Sequence, residues 1–150
     1  MIRECKLKDV LELIENVELG DYEVVEESGI EIVYIKSSEG TSVDPYFELN
    51  YKNAKDNGLK VGVYHYVIAR SVEEAEVEAR FFVDTIKDKS IDCLIAMDFE
   101  SFDDLSNEEI NEVAYTFLTT AKEYMRSNLT DTDVFIYPGG TASPDVVATV

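Results

Sequence analysis

Two carboxylates, Asp98 and Glu100, close the apolar run IDCLIAMDFE that extends from Ile91 to Glu100, at a spacing of i, i+2. On a strand alternate residues share a face, so the two side chains point the same way, roughly 6.5–7 Å apart along the backbone. Such a pair can divide acid–base work, one carboxyl donating a proton to a leaving oxygen while its ionised partner stabilises developing positive charge. Read alone, the pair also fits a solvated strand exit. It fits a hard-cation site less well, because the surrounding sequence offers no fuller set of oxygen donors.

Three other clusters stand at or near expected strand ends: Lys36 with Glu39, the triplet Tyr64-His65-Tyr66, and Tyr137. If the strands are parallel, these groups and the carboxylate pair converge on one rim, a concave polar site suited to glycoside hydrolysis. Each cluster has a plainer reading. Lys36 and Glu39 alone would be a surface ion pair of little energetic value. His65, flanked by tyrosines within a strand, reads as a hydrogen-bonded core histidine before a catalytic base, and it lies on the face opposite Tyr64 and Tyr66.

The elements that position these groups follow from periodicity and turn chemistry. Leu7, Val10, Leu11, Ile14 and Val17 recur at helical spacing, so this segment reads as an amphipathic helix ended by Gly20; a short helix from Asp21 through Glu27 follows. Ile30 to Ser37 reads as a strand, Ser38 to Asp44 as a polar loop, and Asp44-Pro45 as the cap of a helix with Phe47, Tyr51 and Ala54 on its apolar face, closed by Gly58. Leu59 to Ala69 is the next strand. Ser71 and Glu74 form a capping box for a helix to about Lys87, with Ala75, Ala79, Phe82 and Ile86 inward. The third strand ends at the carboxylate pair. Ser106 and Glu109 then cap a long helix carrying Ile110, Val113, Ala114, Phe117, Leu118, Ala121 and Met125, and Asp133 to Tyr137 is a fourth strand. Alternating strands and helices imply βαβ units and a mainly parallel sheet or barrel in one domain, residues 1–150.

Composition narrows the partners. With 13 Lys and Arg against 32 Asp and Glu, a formal net charge of −19 and no basic stripe, docking on a nucleic-acid backbone is disfavoured. Cys5 and Cys93 lack metal-ligand spacing and read as free thiols. The opening MIRECKLKDVLELIENV is broken by charge too often for a signal peptide or a membrane span, which leads to the expectation of a chain made in the cytoplasm.

The order of four blocks resembles the family 25 glycoside hydrolases, the lysozyme-like muramidases of bacterial and phage lysins. The blocks are DYEVVEESGIEIVYIKSSEG (Asp21 to Gly40), DPYFELNYKNAKDNGLKVGVYHY (Asp44 to Tyr66), EAEVEARFFVDTI (Glu74 to Ile86) and the AMDFE ending at Glu100. The resemblance implies an irregular (β/α) barrel of TIM-barrel type that cleaves the β-1,4 bond between N-acetylmuramic acid and N-acetylglucosamine in peptidoglycan glycan strands. It assigns Glu100 as general acid and Asp98 as its electrostatic partner, with the acetamido group a candidate nucleophile. Tyr64 would line the sugar site, joined by Lys36, Glu39, Tyr66 and Tyr137. No metal or organic cofactor is implied, and the wall would be reached after release of the protein from the cell. Strand spacing alone does not choose between the ~5–5.5 Å of retaining and the ~6.5–9.5 Å of inverting enzymes.

Two departures qualify this picture. The family opens with a strand ending in Asp-x-Ser, whereas this chain has ELIEN, Glu12 to Asn16, there. Glu12 is the ungapped partner of the family aspartate, and Asp9 aligns only with a gap. After DVFIY the family continues through further strands and an aromatic-rich segment, while this sequence reaches Val150 without a Trp. The expectation is an incomplete barrel whose exposed edge favours homo-oligomers. The alternatives are a catalytically impaired glycan-binding or structural remnant of the same fold, and an acidic α/β interaction domain unrelated to sugars.

Overall fold

The structure, a computed structural model, describes residues 10–12, 30–102, 104–128 and 136–139, the first and last of these stretches as backbone. Its elements in chain order are β1 (Val10–Glu12), β2 (Ile32–Glu39), β3 (Ser42–Val43), α1 (Phe47–Asp56), β4 (Lys60–Tyr66), α2 (Val72–Ile86), β5 (Ile95–Asp98), α3 (Asn107–Asn128) and β6 (Ile136–Gly139). The parallel strands lie in the order β1-β2-β4-β5-β6, and β3 pairs antiparallel with β2. Because spatial order follows chain order, each crossover through α1, α2 and α3 advances the sheet by one strand in the same direction, as parallel βαβ units do. The expected α/β class is therefore observed. Among the described residues the sheet is open, with β1 and β6 at its two edges, and no closed barrel is seen.

Side-chain alternation divides the sheet into two faces. Val33 and Ile35 of β2, Val61 and Val63 of β4, and Ile95 and Met97 of β5 join Phe47, Phe82 and Phe117 of the helices in one hydrophobic core. Burying each such side chain contributes about 1.5–3 kcal/mol. All seven stripe residues expected of α3 are buried, as are the four expected of α2. Both capping boxes form in part or whole. Ser106 and Glu109 exchange bonds, Ser106 N–H to Glu109 Oε2 at 2.8 Å and Glu109 N–H to Ser106 Oγ at 3.3 Å. Ser71 Oγ accepts from Glu74 N–H at 3.2 Å, but the Glu74 carboxylate reaches back to the N–H of Arg70 instead of Ser71.

Several boundaries differ from the sequence expectation. Val10–Glu12 is a strand and not part of a helix, paired with Ile32, Val33 and Tyr34 of β2. The physical reason is that a short apolar run satisfies either period, and the edge of β2 offers backbone groups that a strand can pair and a helix cannot. The rest of the expected helix, the one from Asp21 to Glu27, and Cys5 lie outside the described residues. The expected loop after Ser37 is the end of β2, a turn through Gly40 at φ +54°, and β3. Helix α1 starts at Phe47, because Asp44 Oδ1 accepts from Tyr46 N–H at 2.9 Å and closes an Asx turn ahead of the helix. Gly58, at φ +74°, ends it as expected. Strand β4 stops at Tyr66, not Ala69, and β5 begins only at Ile95, since the N–H groups of Asp92 and Cys93 both turn in to the Val61 carbonyl. The last strand runs Ile136–Gly139, and Asp133 to Phe135 lie outside the described residues.

On the face away from the helices, Tyr34 lies flat across Gly62: a Cβ built there would meet ring atoms of Tyr34 at 2.5 to 2.8 Å. The glycine is thus fixed by the neighbouring ring. Gly62→Ala is expected to cost about 1–3 kcal/mol through overpacking, and adding Tyr34→Leu to the same chain to recover most of that loss, as measured by urea unfolding.

Candidate functional site

The parallel register assembles the expected residues into two transverse rows at the carboxyl ends of the strands. Lys36 stands beside Tyr64, Tyr64 beside Ala96, and Ala96 beside Tyr137. In the next row Glu39 stands beside Tyr66, Tyr66 beside Asp98, and Asp98 beside Gly139. With strands spaced ~4.8 Å, the backbones of Glu39 and Asp98 are separated by roughly 10 Å across β4. Glu12 takes the register position beside Tyr34, one pleat short of the Lys36 row. The N-terminal stretch therefore delivers an acidic residue to a strand bordering this face, where a helix would not have.

Lys36 is not part of a surface pair. Its side chain is 7% exposed against 43% for Glu39, its Nζ lies 2.6 Å from Glu39 Oε2, and its ammonium sits 5.2 Å from the centroid of the Tyr66 ring. A buried ammonium requires such compensation, because desolvation without a partner costs several kcal/mol. Tyr64 is buried and lies outside the helix-side core, while Tyr66 is half-buried. The rim thus presents carboxylates, one lysine and two tyrosines.

Asp98 is half-buried at the last position of β5, and Glu100 is exposed two residues on. Phe99, between them, turns into the core and meets Phe102 edge-to-face at 5.5 Å. Beyond Glu100, Arg70 donates to the carbonyl of Ser101 and, at 2.9 Å, to its Oγ. The Glu100 carbonyl itself accepts from Phe102 N–H at 3.2 Å. The segment just after Glu100 is thus held by bonds at Ser101 and Phe102, while Glu100 itself is exposed.

His65 lies on the other face, where the register pairs it with Met97. It is fully buried, with Phe82 and Phe117 at ring-centroid distances of 5.4 and 5.2 Å. Its Nδ1 is 2.8 Å from Ser38 Oγ and its Nε2 3.2 Å from Glu78 Oε2. Burial pushes the imidazole below its ordinary value, outweighing the upward pull of Glu78. Neutral His65 then accepts from the Ser38 hydroxyl and donates to the Glu78 carboxylate. It packs between the helix phenylalanines and takes no place on the rim.

Lys36, Glu39, Tyr64, Tyr66 and Asp98 are brought together, with the backbone positions of Tyr137 and Glu12 in or next to their rows. Sequence reading missed Tyr34, Arg70, the serines of β2, and Glu78. The break in alternation between Lys36 and Glu39 was hidden, because the expected strand ended at Ser37 and Glu39 fell in the expected loop, whereas the structure carries β2 on to Glu39. Among the described residues no three His, Cys, Asp or Glu side chains converge on a metal site, and no helix there is long and apolar enough to cross a membrane.

A family model described as glycosyl hydrolases family 25 matches residues 9–139. The autolytic lysozyme of Clostridium acetobutylicum is 34% identical over 145 residues, covering 85% of this chain and 44% of that protein. Among solved structures, the modular autolysin LytC of Streptococcus pneumoniae in complex with a synthetic peptidoglycan ligand superposes with a TM-score of 0.70 at 19% identity, over 91% of this chain and 35% of that one. The muramidase of Acremonium alcalophilum gives a TM-score of 0.60 at 26% identity, over 76% of this chain and 58% of the other. The chain spans less than half the length of the autolytic lysozyme it matches.

The depressed imidazole has a consequence for stability. Below about pH 6.5 the unfolded chain takes up a proton on His65 that the folded chain refuses, so this contribution is complete above that pH and is lost as pH falls toward the folded value. Thermal midpoints measured from pH 7.5 to 5 are expected to fall more steeply for the wild type than for His65→Gln, whose curve lacks this component.

Proposed function

Because the chain belongs to glycosyl hydrolases family 25, we propose that it cleaves the β-1,4 bond between N-acetylmuramic acid and N-acetylglucosamine in peptidoglycan, with Glu100 as general acid and Asp98 as its partner. The observation that supports this reading is the strand register, which aligns Glu39, Tyr66 and Asp98 in one row, with Glu100 two residues beyond Asp98 in the chain. Glu100, on the exposed side of the rim, protonates the glycosidic oxygen. Asp98, half-buried at the strand end, stabilises the positive charge that develops at the sugar or orients the acetamido group against it. Tyr64 and Tyr66 offer apolar ring surface and a polar tip to the sugar, and Lys36 with Glu39 supplies charged hydrogen-bonding groups. Tyr137 and Glu12 extend the site along their rows.

The sequential parallel order of the strands is the order a (β/α) barrel needs, and we read the sheet as an arc of such a barrel, its catalytic rim at the strands' carboxyl ends. The protein's site of action is the cell wall, in keeping with the autolytic relative.

Clearing of a cell-wall suspension tests the assignment. Glu100→Gln is expected to lower the rate by about 10²–10⁴-fold while leaving the fold intact by circular dichroism. Equal rates for the two proteins would overturn the role of Glu100. Binding of glycan fragments without cleavage by the wild type would select the impaired remnant.

A further inference from the structure

Lys36 and Glu39 share the rim although they are three residues apart in one strand, where strict alternation would place them on opposite faces. The register explains how. Lys36 pairs with Tyr64 but Ser38, two residues on, pairs with the very next residue, His65, so β2 spends two steps where β4 spends one. Ser37 is the extra residue of a β-bulge. Past it the phase of β2 is inverted: Ser38 falls on the helix side with His65, and Glu39 falls beside Tyr66, on the face that carries Lys36.

The bulge is tied down by buried polar bonds. Ser37 Oγ donates to the Tyr64 carbonyl at 2.9 Å, and the Ser37 carbonyl accepts from Asp44 N–H at 3.0 Å. Ser38 Oγ meets His65 Nδ1 at 2.8 Å, His65 Nε2 meets Glu78 Oε2 at 3.2 Å, and the same oxygen takes the N–H of Ile68 at 3.1 Å. Ser37, Ser38 and His65 are fully buried and Glu78 is 5% exposed. A regular strand with apolar residues would satisfy the core without this chain of desolvated groups. The cost is explained by what the bulge delivers to the other face.

We propose that Ser37, Ser38, His65 and Glu78 are positioning residues for the hydrolase, a buried polar truss that locks the bulge and thereby holds the Lys36–Glu39 pair against Tyr66 at the sugar-binding rim. The inference rests on the muramidase reading for the use of the pair, and on geometry alone for its placement. None of the four touches substrate; they act through Lys36 and Glu39.

A double-mutant cycle separates positioning from mere stability. On soluble, sonicated peptidoglycan fragments, Ser38→Ala is expected to lower kcat/KM about tenfold in the wild type, chiefly through KM, and less than about twofold in a Glu39→Gln background, where the pair is already lost. The accompanying drop in thermal midpoint is expected to be the same in both backgrounds. Glu78→Gln, whose amide oxygen can accept both bonds, is expected to stay within about twofold of wild type, whereas Glu78→Ala falls with Ser38→Ala. An equal fold-loss of Ser38→Ala in the two backgrounds would show a structural role only and overturn the proposal. Crystal structures of the wild type and Ser38→Ala read the placement without turnover. A Lys36–Glu39 pair broken in the variant supports the truss even if the chain hydrolyses nothing, which would be a failure of the muramidase reading alone. A pair left intact overturns the truss.

Discussion

A parallel strand covered by helices on one face has only its alternate residues and its carboxyl end left to offer a ligand, and this constraint governs the whole molecule. Val33, Ile35, Val61, Val63, Ile95 and Met97 are committed to the core under the helices. Residues in the opposite phase, Tyr34, Lys36, Tyr64, Tyr66 and Asp98, are thereby turned the other way, and the register aligns them. A one-residue slip of β4 would exchange Tyr64 and Tyr66 for His65 and dismantle core and rim together.

The two faces are coupled by the groups that violate the simple pattern. His65 is a polar residue at a core position, and its bonds to Ser38 and Glu78 tie β2, β4 and α2 at the level where the rim begins. Ser37 adds one residue to β2 and resets its phase at that same level. Arg70 does a similar service on the other side of β4, linking the segment after Tyr66 to Ser101, next to Glu100. Rim geometry in this protein therefore depends on a few buried or clamped polar groups, with the apolar core supplying the platform.

Much of the fold was legible because long periodic segments leave little choice. The stripes of α2 and α3 each satisfied one period over several turns, and Ser71 and Ser106 marked their starts, so existence, extent and inward face were all readable. Short segments were another matter. Val10 and Leu11 fit either period, and the pairing that made them a strand comes from β2, which begins more than 20 residues later in the chain. The hairpin to β3 depended on Gly40 adopting a positive φ, which a sequence permits without requiring.

The sequence by itself placed the carboxylates Asp98 and Glu100 two residues apart at the close of an apolar run, but β5 ends at Asp98 and leaves Glu100 beyond the strand, so strand alternation does not fix a shared direction for the pair. The Tyr64/His65 division of faces was set by sequence alone, since both lie within β4. What only the tertiary structure decided was which face met the helices, and how the residues of separate strands were aligned. Inter-strand register is made by hydrogen bonds between segments distant in sequence and by the bulge at Ser37, neither of which is encoded in local periodicity. For that reason Lys36 and Glu39, which taken alone read as a surface pair and joined the sugar site only through the family resemblance, form in the fold a buried ammonium bound to its carboxylate at the rim.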